Sequence, residues 1–439
     1  MELIGAFEST YLPGHDIDVM ELSGHDVRWR SDLKLLAELG IRRLRYPVRW
    51  HRIEEEPGRF DWASTDAVLE HMAEHGFAPA VDLVHHTSYP RWLTRGFADP
   101  RFPSAYLRFV EAVATRYPWI PEYTLFNEPF ATLFLCGHEG VWPPYGRGLK
   151  SLIGLFANVL PALTQASRMY RQLLPGARHL YVDTCEAHSS AVPEADEFVA
   201  MVSDRRFFVL DIMLGRDRGR ALTFDRPFVK ALLSNGGASL LEIEPGHIDT
   251  LGLDYYAHSE WRFGPNGGQT PSPRPVGLSN LILEYGSRYD VPLALTETNI
   301  RGYASDRATW LKYTVGECER AIAHGANLNG YCWFPFVDSV DWDSLLARPA
   351  GHIDPVGVFW LDERLNRRRS TMSRSYAMLA AGASAAALPA YELCPPVRDQ
   401  IAGFRAQMRG WEWRQPPRHE ISAGWRGTGN DAHVEEEAS

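Results

Sequence analysis

Two kinds of segment alternate along the chain. Short apolar, β-prone runs are bounded by turn-forming residues: "LIGAF" (3–7), "IRRLRY" (41–46), "FAPAVDLV" (77–84), "EYTLF" (122–126), "RHLYVDT" (178–184), "IDTLGLDYY" (248–256), "VPLALT" (291–296) and "LNGYCWF" (328–334). Between them lie longer stretches with helical spacing. "DVRWRSDLKLLAELG" ends in Gly40, "STDAVLEHMAEHG" in Gly76, "SAYLRFVEAVATRY" at Pro118 and "FANVLPALTQASRMYRQLLPG" at Pro175-Gly176, all ordinary helix stops. "DEFVAMVSDRRFFVLDIMLG", "VGLSNLILEYGSRY", "RATWLKYTVGECERAIAHG" and "SRSYAMLAAGASAAAL" follow.

Eight strand–helix units in this order predict an α/β protein, a single (β/α)8 TIM barrel with long βα loops. An open doubly wound sheet is the rival. It fits less well because "GAFESTYLPG" stands where a dinucleotide fingerprint or phosphate loop belongs. The Pro/Gly-rich stretch 262–277 reads as a βα loop on the rim of the site. The barrel is expected to occupy residues 1–415, and the polar, acidic residues 416–439 to form a mobile tail.

Composition narrows the classes of function. The 439 residues carry a net charge of -10 with both signs interspersed, so no basic face is expected for nucleic acid. No run approaches the ~20 apolar residues of a membrane span, and "MELIGAFEST" lacks a basic segment followed by an apolar one. A cytoplasmic protein with no membrane partner is expected; the oligomeric state is left open. The five cysteines form no C-x-x-C pair, and Cys136 and His138 have no third ligand at useful spacing. Neither a metal nor another cofactor is expected.

In such a barrel, chemistry sits at the C-terminal ends of the strands. Those ends read Glu8, Arg45, His85-His86, Asn127-Glu128, Glu186, Tyr256, Glu297 and Trp333-Phe334. Strands four and seven, which carry Glu128 and Glu297, stand about three-eighths of a turn apart. Two carboxylates facing each other across a barrel mouth suit glycoside hydrolysis with retention, which needs one acid to protonate the leaving oxygen and one to attack the sugar carbon. Trp142 in "EGVWPPYG" is either a sugar platform or loop packing, and Glu186 either a substrate contact or a rim residue.

"FNEP" and "LTETN" resemble the acid/base and nucleophile motifs of family 1 glycoside hydrolases. "LRYPVRWHRIEEEPGRFDW", "DLVHHTSYPRWL", "LGLDYYAHSEW" and "GYCWFPFVDSVDW" resemble that family's segments on strands two, three, six and eight, in the same chain order. The resemblance implies a (β/α)8 fold and a retaining, exo-acting β-glycosidase working through a covalent glycosyl-enzyme on a glycoside substrate. It implies Glu128 as general acid/base, Glu297 as nucleophile and Asn127 as donor to the sugar 2-hydroxyl. Arg45 and Tyr256 then orient Glu297, His86 binds a hydroxyl of the sugar, and Asp341 grips its outer hydroxyls with Trp342 nearby. Several positions depart from the pattern: Glu8 and Leu12 where a first-strand Gln is usual, Thr298-Asn299 after the nucleophile, Asp254 in place of Asn, and Phe334 in place of Trp beside Trp333. These departures leave the sugar open. An endo-glycanase or transglycosidase of the same clan, or a silent carbohydrate-binding barrel, are the competing readings.

Overall fold

The computed structural model describes residues 1–215, 226–265 and 267–392. Eight parallel strands close a barrel in chain order. They are β1 Glu2–Ala6, β2 Arg43–Pro47, β3 Ala78–Asp82, β4 Glu122–Thr124, β5 Arg178–Thr184, β6 Thr250–Asp254, β7 Leu293–Glu297 and β8 Leu328–Cys332. The ring closes where Glu2 of β1 lies opposite Gly330 of β8. Each strand falls within two residues of its expected bounds. The (β/α)8 expectation therefore holds and the open sheet does not.

The helices that cover the strands are α1 His25–Glu38, α2 Ala63–Glu74, α3 Phe102–Arg116, α4 Pro129–Gly137 and α5 Gly148–Leu173. After β5 come α6 Asp196–Arg205, α7 Phe208–Leu214 and α8 Pro227–Ser234, and the last three are α9 Leu278–Tyr289, α10 Ala304–Ala323 and α11 Thr371–Ala380. Three expectations need correction. The fourth long helix starts at Gly148 rather than near 156; Gly154 weakens the local propensity, but burial of Leu152, Ile153 and Leu155 outweighs it. The segment 196–215 is two helices, broken where the Arg206 side chain turns back onto the Ser203 carbonyl. The stretch 262–277 is not all loop: Glu260–Phe263 and Gln269–Pro271 form a hairpin, joined in parallel by Ala187–Ser190 from the β5 loop. Cys394, the end of the expected 1–415 domain and the expected tail 416–439 lie outside the described residues.

Strand alternation sorts side chains between two cores. In β2, Leu44 and Tyr46 join the large apolar cluster shared with the helices. Arg43 and Arg45 point the other way, into the barrel, and both are buried. Small and apolar residues fill much of that interior, with Ile4, Ala6, Ala294, Cys332 and Phe334 in one cluster and Ala80, Leu180 and Val182 in another. At the bottom, Arg43 donates to Glu122 of β4 from Nε at 3.0 Å and from Nη2 at 2.7 Å. Arg45, two residues along, is thereby directed to the opposite end of the barrel.

A buried pair is most costly when one member is removed, because the other charge stays behind. Arg43→Met is expected to lower stability by about 3–5 kcal/mol in urea unfolding, and Arg43→Met/Glu122→Leu to recover most of it. A single-variant loss below about 1 kcal/mol would show that Glu122 finds another partner.

Candidate active site

At the C-terminal end of β4 the ladder continues just long enough to seat two side chains. The Asn127 N–H donates to the Val84 carbonyl and the Glu128 N–H to the Val182 carbonyl, at 2.8 and 3.1 Å. Pro129 then opens α4 at its first turn, where its missing N–H costs nothing. Glu128 joins strand to helix in the left-handed region, at φ 45°, a conformation of the kind that clusters at functional sites. The free N–H groups of α4 are taken by Asp183 of β5, whose carboxylate accepts from Phe130 at 2.9 Å and Ala131 at 3.4 Å. Glu128 is thus left without the helix-end hydrogen bonds that would favour its ionised form.

Glu297 reaches the same space by a different device. Alternation along β7 sends Ala294 and Thr296 inward, which would turn Glu297 outward. A bulge between Leu295 and Glu297, two residues of β7 against one of β6, re-aims it. Its Oε1 accepts from Arg45 Nη1 at 2.6 Å, and its Oε2 from the Tyr256 hydroxyl at 2.5 Å. One carboxylate oxygen from each of Glu128, Asp254 and Glu297 lies within 4.8 Å of the others. All three are buried, Glu128 at 8% exposure and Glu297 at 3%.

Arg45 joins the parts of the site. Besides Glu297, it donates through Nη2 to Asn127 Oδ1 at 2.5 Å and to Asp82 Oδ2 at 3.4 Å. Burial alone would disfavour its charge, but Glu297, Asp82 and Asp254 hold it firmly protonated. Asp82 also accepts from His85 Nδ1 at 2.8 Å. His85 Nε2 faces Glu8 Oε1 at 3.4 Å, an ionic contact without hydrogen-bond geometry. Burial opposes charge on His85, yet Asp82 and Glu8 raise its pKa to about 10. Its neighbour His86 is driven well below the ordinary imidazole value by burial and then by the charge on His85. His86, also left-handed at φ 50°, bonds Thr132 Oγ1 through Nδ1 at 2.9 Å and turns Nε2 toward Glu128 Oε2 at 3.8 Å.

Burial, followed by the charge of Glu297 and the nearby carboxyl groups of Asp254 and Asp183, pushes the Glu128 carboxyl well above its ordinary value. The site therefore offers a protonated acid, Glu128, close to a carboxylate held by a guanidinium and a phenol. That arrangement can donate a proton to a leaving oxygen and attack a carbon from the other side.

Among the expected residues, Arg45, His86, Asn127, Glu128, Tyr256 and Glu297 converge here, with Glu8, Phe334 and Trp342 packed around them. Asp341 is buried, and its carboxylate accepts from the N–H groups of Ala350, Gly351 and His352 at 2.8–3.0 Å. It organises its own loop, with Oδ2 taking two of these N–H groups and Oδ1 one. Glu8 is similarly engaged, Oε1 accepting from Ser9 N, Thr10 N and Thr10 Oγ1 at 2.7–2.9 Å. Trp333 is fully buried, with Nε1 on the Val356 carbonyl at 2.8 Å, so it is packing rather than a substrate contact. Trp142 is also buried and donates to the Leu345 carbonyl at 2.7 Å; of its two readings, the structure selects loop packing. Phe334 stacks on His85 at 5.8 Å and lies 5.6 Å from the Arg45 guanidinium carbon. Trp342 packs 5.5 Å from His86 and 6.0 Å from Trp142, so loops from β4 and β8 meet over the site. Glu186 is half-buried beside His188 at 3.4 Å; burial raises its pKa, but His188 and Arg205 lower it overall. It sits on the rim.

Asp82 and Asp183 were overlooked in the sequence. Asp82 has a readable signal: it follows Ala80 at the inward spacing of an otherwise apolar strand. Asp183 has none, because its role depends on a helix brought beside it from another unit.

Residues 14–216 match the family model described as glycosyl hydrolase family 1. Beta-glucosidase A of Thermotoga maritima is 21% identical over 381 residues, covering 78% of this chain and 83% of that protein. An aryl-phospho-beta-D-glucosidase of Bacillus subtilis is 24% identical over 393 residues, covering 76% and 80%. The family model, the curated relatives and the fold all point to a divergent family 1 glycoside hydrolase. Its fold matches the family 1 b-glucosidase of Thermotoga maritima in complex with isofagomine lactam at a TM-score of 0.69, with 19% identity over 82% of this chain and 87% of that one. This family 1 enzyme is accordingly a glycoside hydrolase. Among its described residues, no helix is long and apolar enough to cross a membrane. Two further clusters, His71/Glu74/His75 and Asp343/His352/Asp354, bring donor atoms within 4.8 Å, but most of their members face solvent and each cluster stands apart from the Glu128–Glu297 pair.

The charges of the site set the pH range of stability. His85 binds its proton more tightly when folded, so its contribution is complete below about 6.5 and is lost as pH rises toward about 10. Glu8, whose folded pKa is lowered to about 2 by His85 and Thr10 against the effect of burial, contributes above about 4.5 and loses that as pH falls. The melting temperature is expected to peak between these limits. His85→Gln is expected to flatten the alkaline fall, and an unchanged alkaline slope in differential scanning fluorimetry would contradict the assignment.

Proposed function

We propose that this family 1 enzyme is a retaining, exo-acting β-glycosidase that works by double displacement. Glu297 attacks the anomeric carbon while Glu128 gives its proton to the departing glycosidic oxygen, forming a covalent glycosyl-enzyme. Glu128, now a carboxylate, then takes a proton from water as that water attacks the same carbon and releases Glu297. The observation that carries this reading is the approach of the two carboxyl groups, with oxygens within 4.8 Å of each other. Retention uses a carboxyl separation of ~5–5.5 Å, whereas inversion needs ~6.5–9.5 Å to admit a water.

Tyr256 and Arg45 hold Glu297 aimed through hydrogen bonds to its two oxygens. As Glu297 is consumed in the glycosyl-enzyme, the Arg45 and Asp82 charges remain in place, so little reorganisation accompanies the step. Asn127, with Oδ1 on Arg45 and Nδ2 left toward His86 Nε2 at 3.5 Å, has its amide N–H positioned for the sugar 2-hydroxyl. The packing of Trp342 against His86 and Trp142 over this end of the barrel supports exo action. Recognition of the sugar falls to His86, Asn127 and Trp342, joined by Glu8, whose bonds to Ser9 and Thr10 all fall on Oε1 and leave Oε2 for a hydroxyl.

The names of the relatives make β-glucosides the first substrates to try. A panel of aryl β-glycosides is expected to include at least one that is hydrolysed with retention of configuration, read by NMR of the first-formed anomer. Glu297→Ala is expected to abolish turnover. Glu128→Gln is expected to lose about 10²–10⁴-fold on substrates with poor leaving groups and much less on those with good ones. Inverted product, or a Glu297→Ala variant as active as wild type, would overturn the mechanism.

A further inference from the structure

Asp254, at the end of β6, stands where the family pattern has Asn. It is fully buried. Its Oδ1 accepts from Thr296 Oγ1 at 2.6 Å, while Oδ2 is buried with no hydrogen-bond partner. One of its oxygens lies within 4.8 Å of oxygens on both Glu128 and Glu297. An ionised, unpartnered carboxylate oxygen in that position would face two other carboxyl groups in a low-dielectric space, the most costly arrangement available to it.

The groups around Asp254 offer little compensation. Arg45 from β2 is the cation that faces it, and its nearest bonds go to Glu297 and Asn127. Glu128 comes from the end of β4, Asp183 and Cys185 from β5 and its end, Tyr256 from just beyond β6, Glu297 and Thr296 from β7, and Cys332 from β8. Burial pushes both thiols and the phenol upward, so they stay neutral, and Asp183 is raised by burial to about 6. A proton is the compensation within reach. Burial, then the charge of Glu297, drives the Asp254 carboxyl well above its ordinary value. A protonated carboxyl has the shape of a carboxamide, one acceptor oxygen and one donor on a planar fork.

We infer that Asp254 works as a neutral carboxylic acid, a positioning residue that fills the place of an amide beside the Glu128–Glu297 pair and whose ionisation, together with that of Glu128, sets the alkaline limit of activity. The inference rests on the retaining reading above. In the active form two protons reside on the three carboxyl groups, and losing either one disables the site. Loss from Glu128 removes the acid; loss from Asp254 places a second anion beside Glu297 and makes a carboxylate of the group that held it. Because the groups interact, their apparent values belong to the cluster rather than to either residue.

The test is the pH dependence of kcat/KM on an aryl β-glycoside that the wild type hydrolyses. In wild type the alkaline limb is expected to fall a hundredfold per pH unit at its steepest, the mark of two ionisations. In Asp254→Asn it is expected to fall tenfold per unit, and Asp254→Asn is expected to exceed Asp254→Ala by about tenfold or more. An alkaline limb of the same slope and position in wild type and Asp254→Asn would overturn the proposal. The protonation state has its own readout: the wild-type protein at neutral pH is expected to show a protonated-carboxyl C=O band in infrared difference spectra against Asp254→Asn, and absence of the band would also overturn it. If no aryl β-glycoside is cleaved, the glycosidase mechanism fails, while the infrared measurement still decides the state of Asp254.

Discussion

The site is organised by one buried guanidinium. Arg45 binds Glu297 at 2.6 Å, Asn127 at 2.5 Å and Asp82 at 3.4 Å, and through Asp82 it is linked to the charged His85 and to Glu8. Charges removed from water are tolerated only when paired and hydrogen-bonded. This chain of alternating charges meets that condition across the barrel mouth. It also divides the carboxyl groups into two populations. Those in ion pairs with a cation, Glu297, Asp82 and Glu8, are held as such; Glu128 and Asp254, with no ion pair to Arg45, are pushed by burial toward the protonated form. With two cations, Arg45 and His85, for these five carboxyl groups, the barrel mouth leaves Glu128 and Asp254 raised toward the protonated form beside Glu297.

Backbone irregularities do the aiming. Glu128 occupies the left-handed region between strand and helix, and Asp183 removes the helix-end donors that would otherwise stabilise its anion. The bulge in β7 brings Glu297 to the inner face against the alternation of its strand. Regular β geometry alone would have turned Glu297 away from Glu128, so the approach of the two carboxyl groups exists through departures from regularity at the ends of β4 and β7. Strain of this kind persists where surrounding structure enforces it; here the enforcing contacts are the Asn127 and Glu128 ladder bonds and the Arg45 and Tyr256 bonds to Glu297.

The outer part of the pocket is built on different terms. Asp341 and Glu8 occupy positions that look like sugar contacts along the chain, yet each folds its carboxylate onto nearby backbone N–H groups. Trp142 and Trp342 pack together against His86.

Much of this was legible beforehand. Eight apolar runs alternating with amphipathic segments specify a parallel barrel because strand and helix periods differ and each burial pattern has one matching layer. Asn127-Glu128 and Glu297 could be located because barrel chemistry gathers at strand ends, and Arg43 and Arg45 because a spacing of two places both inside. The sequence by itself determined the fold, carried the family resemblance and located Glu128 and Glu297 at the ends of β4 and β7. What only the tertiary structure decided depends on distances between units remote along the chain: Asp183 capping α4, Asp82 joining Arg45 to His85, Asp341 spending its charge on its own loop, and Asp254 arriving beside two carboxyl groups with no cation of its own. The physical reason is that a residue's type specifies which interactions it can form, whereas charge state and hydrogen-bond partners depend on what the folded chain brings within a few ångströms.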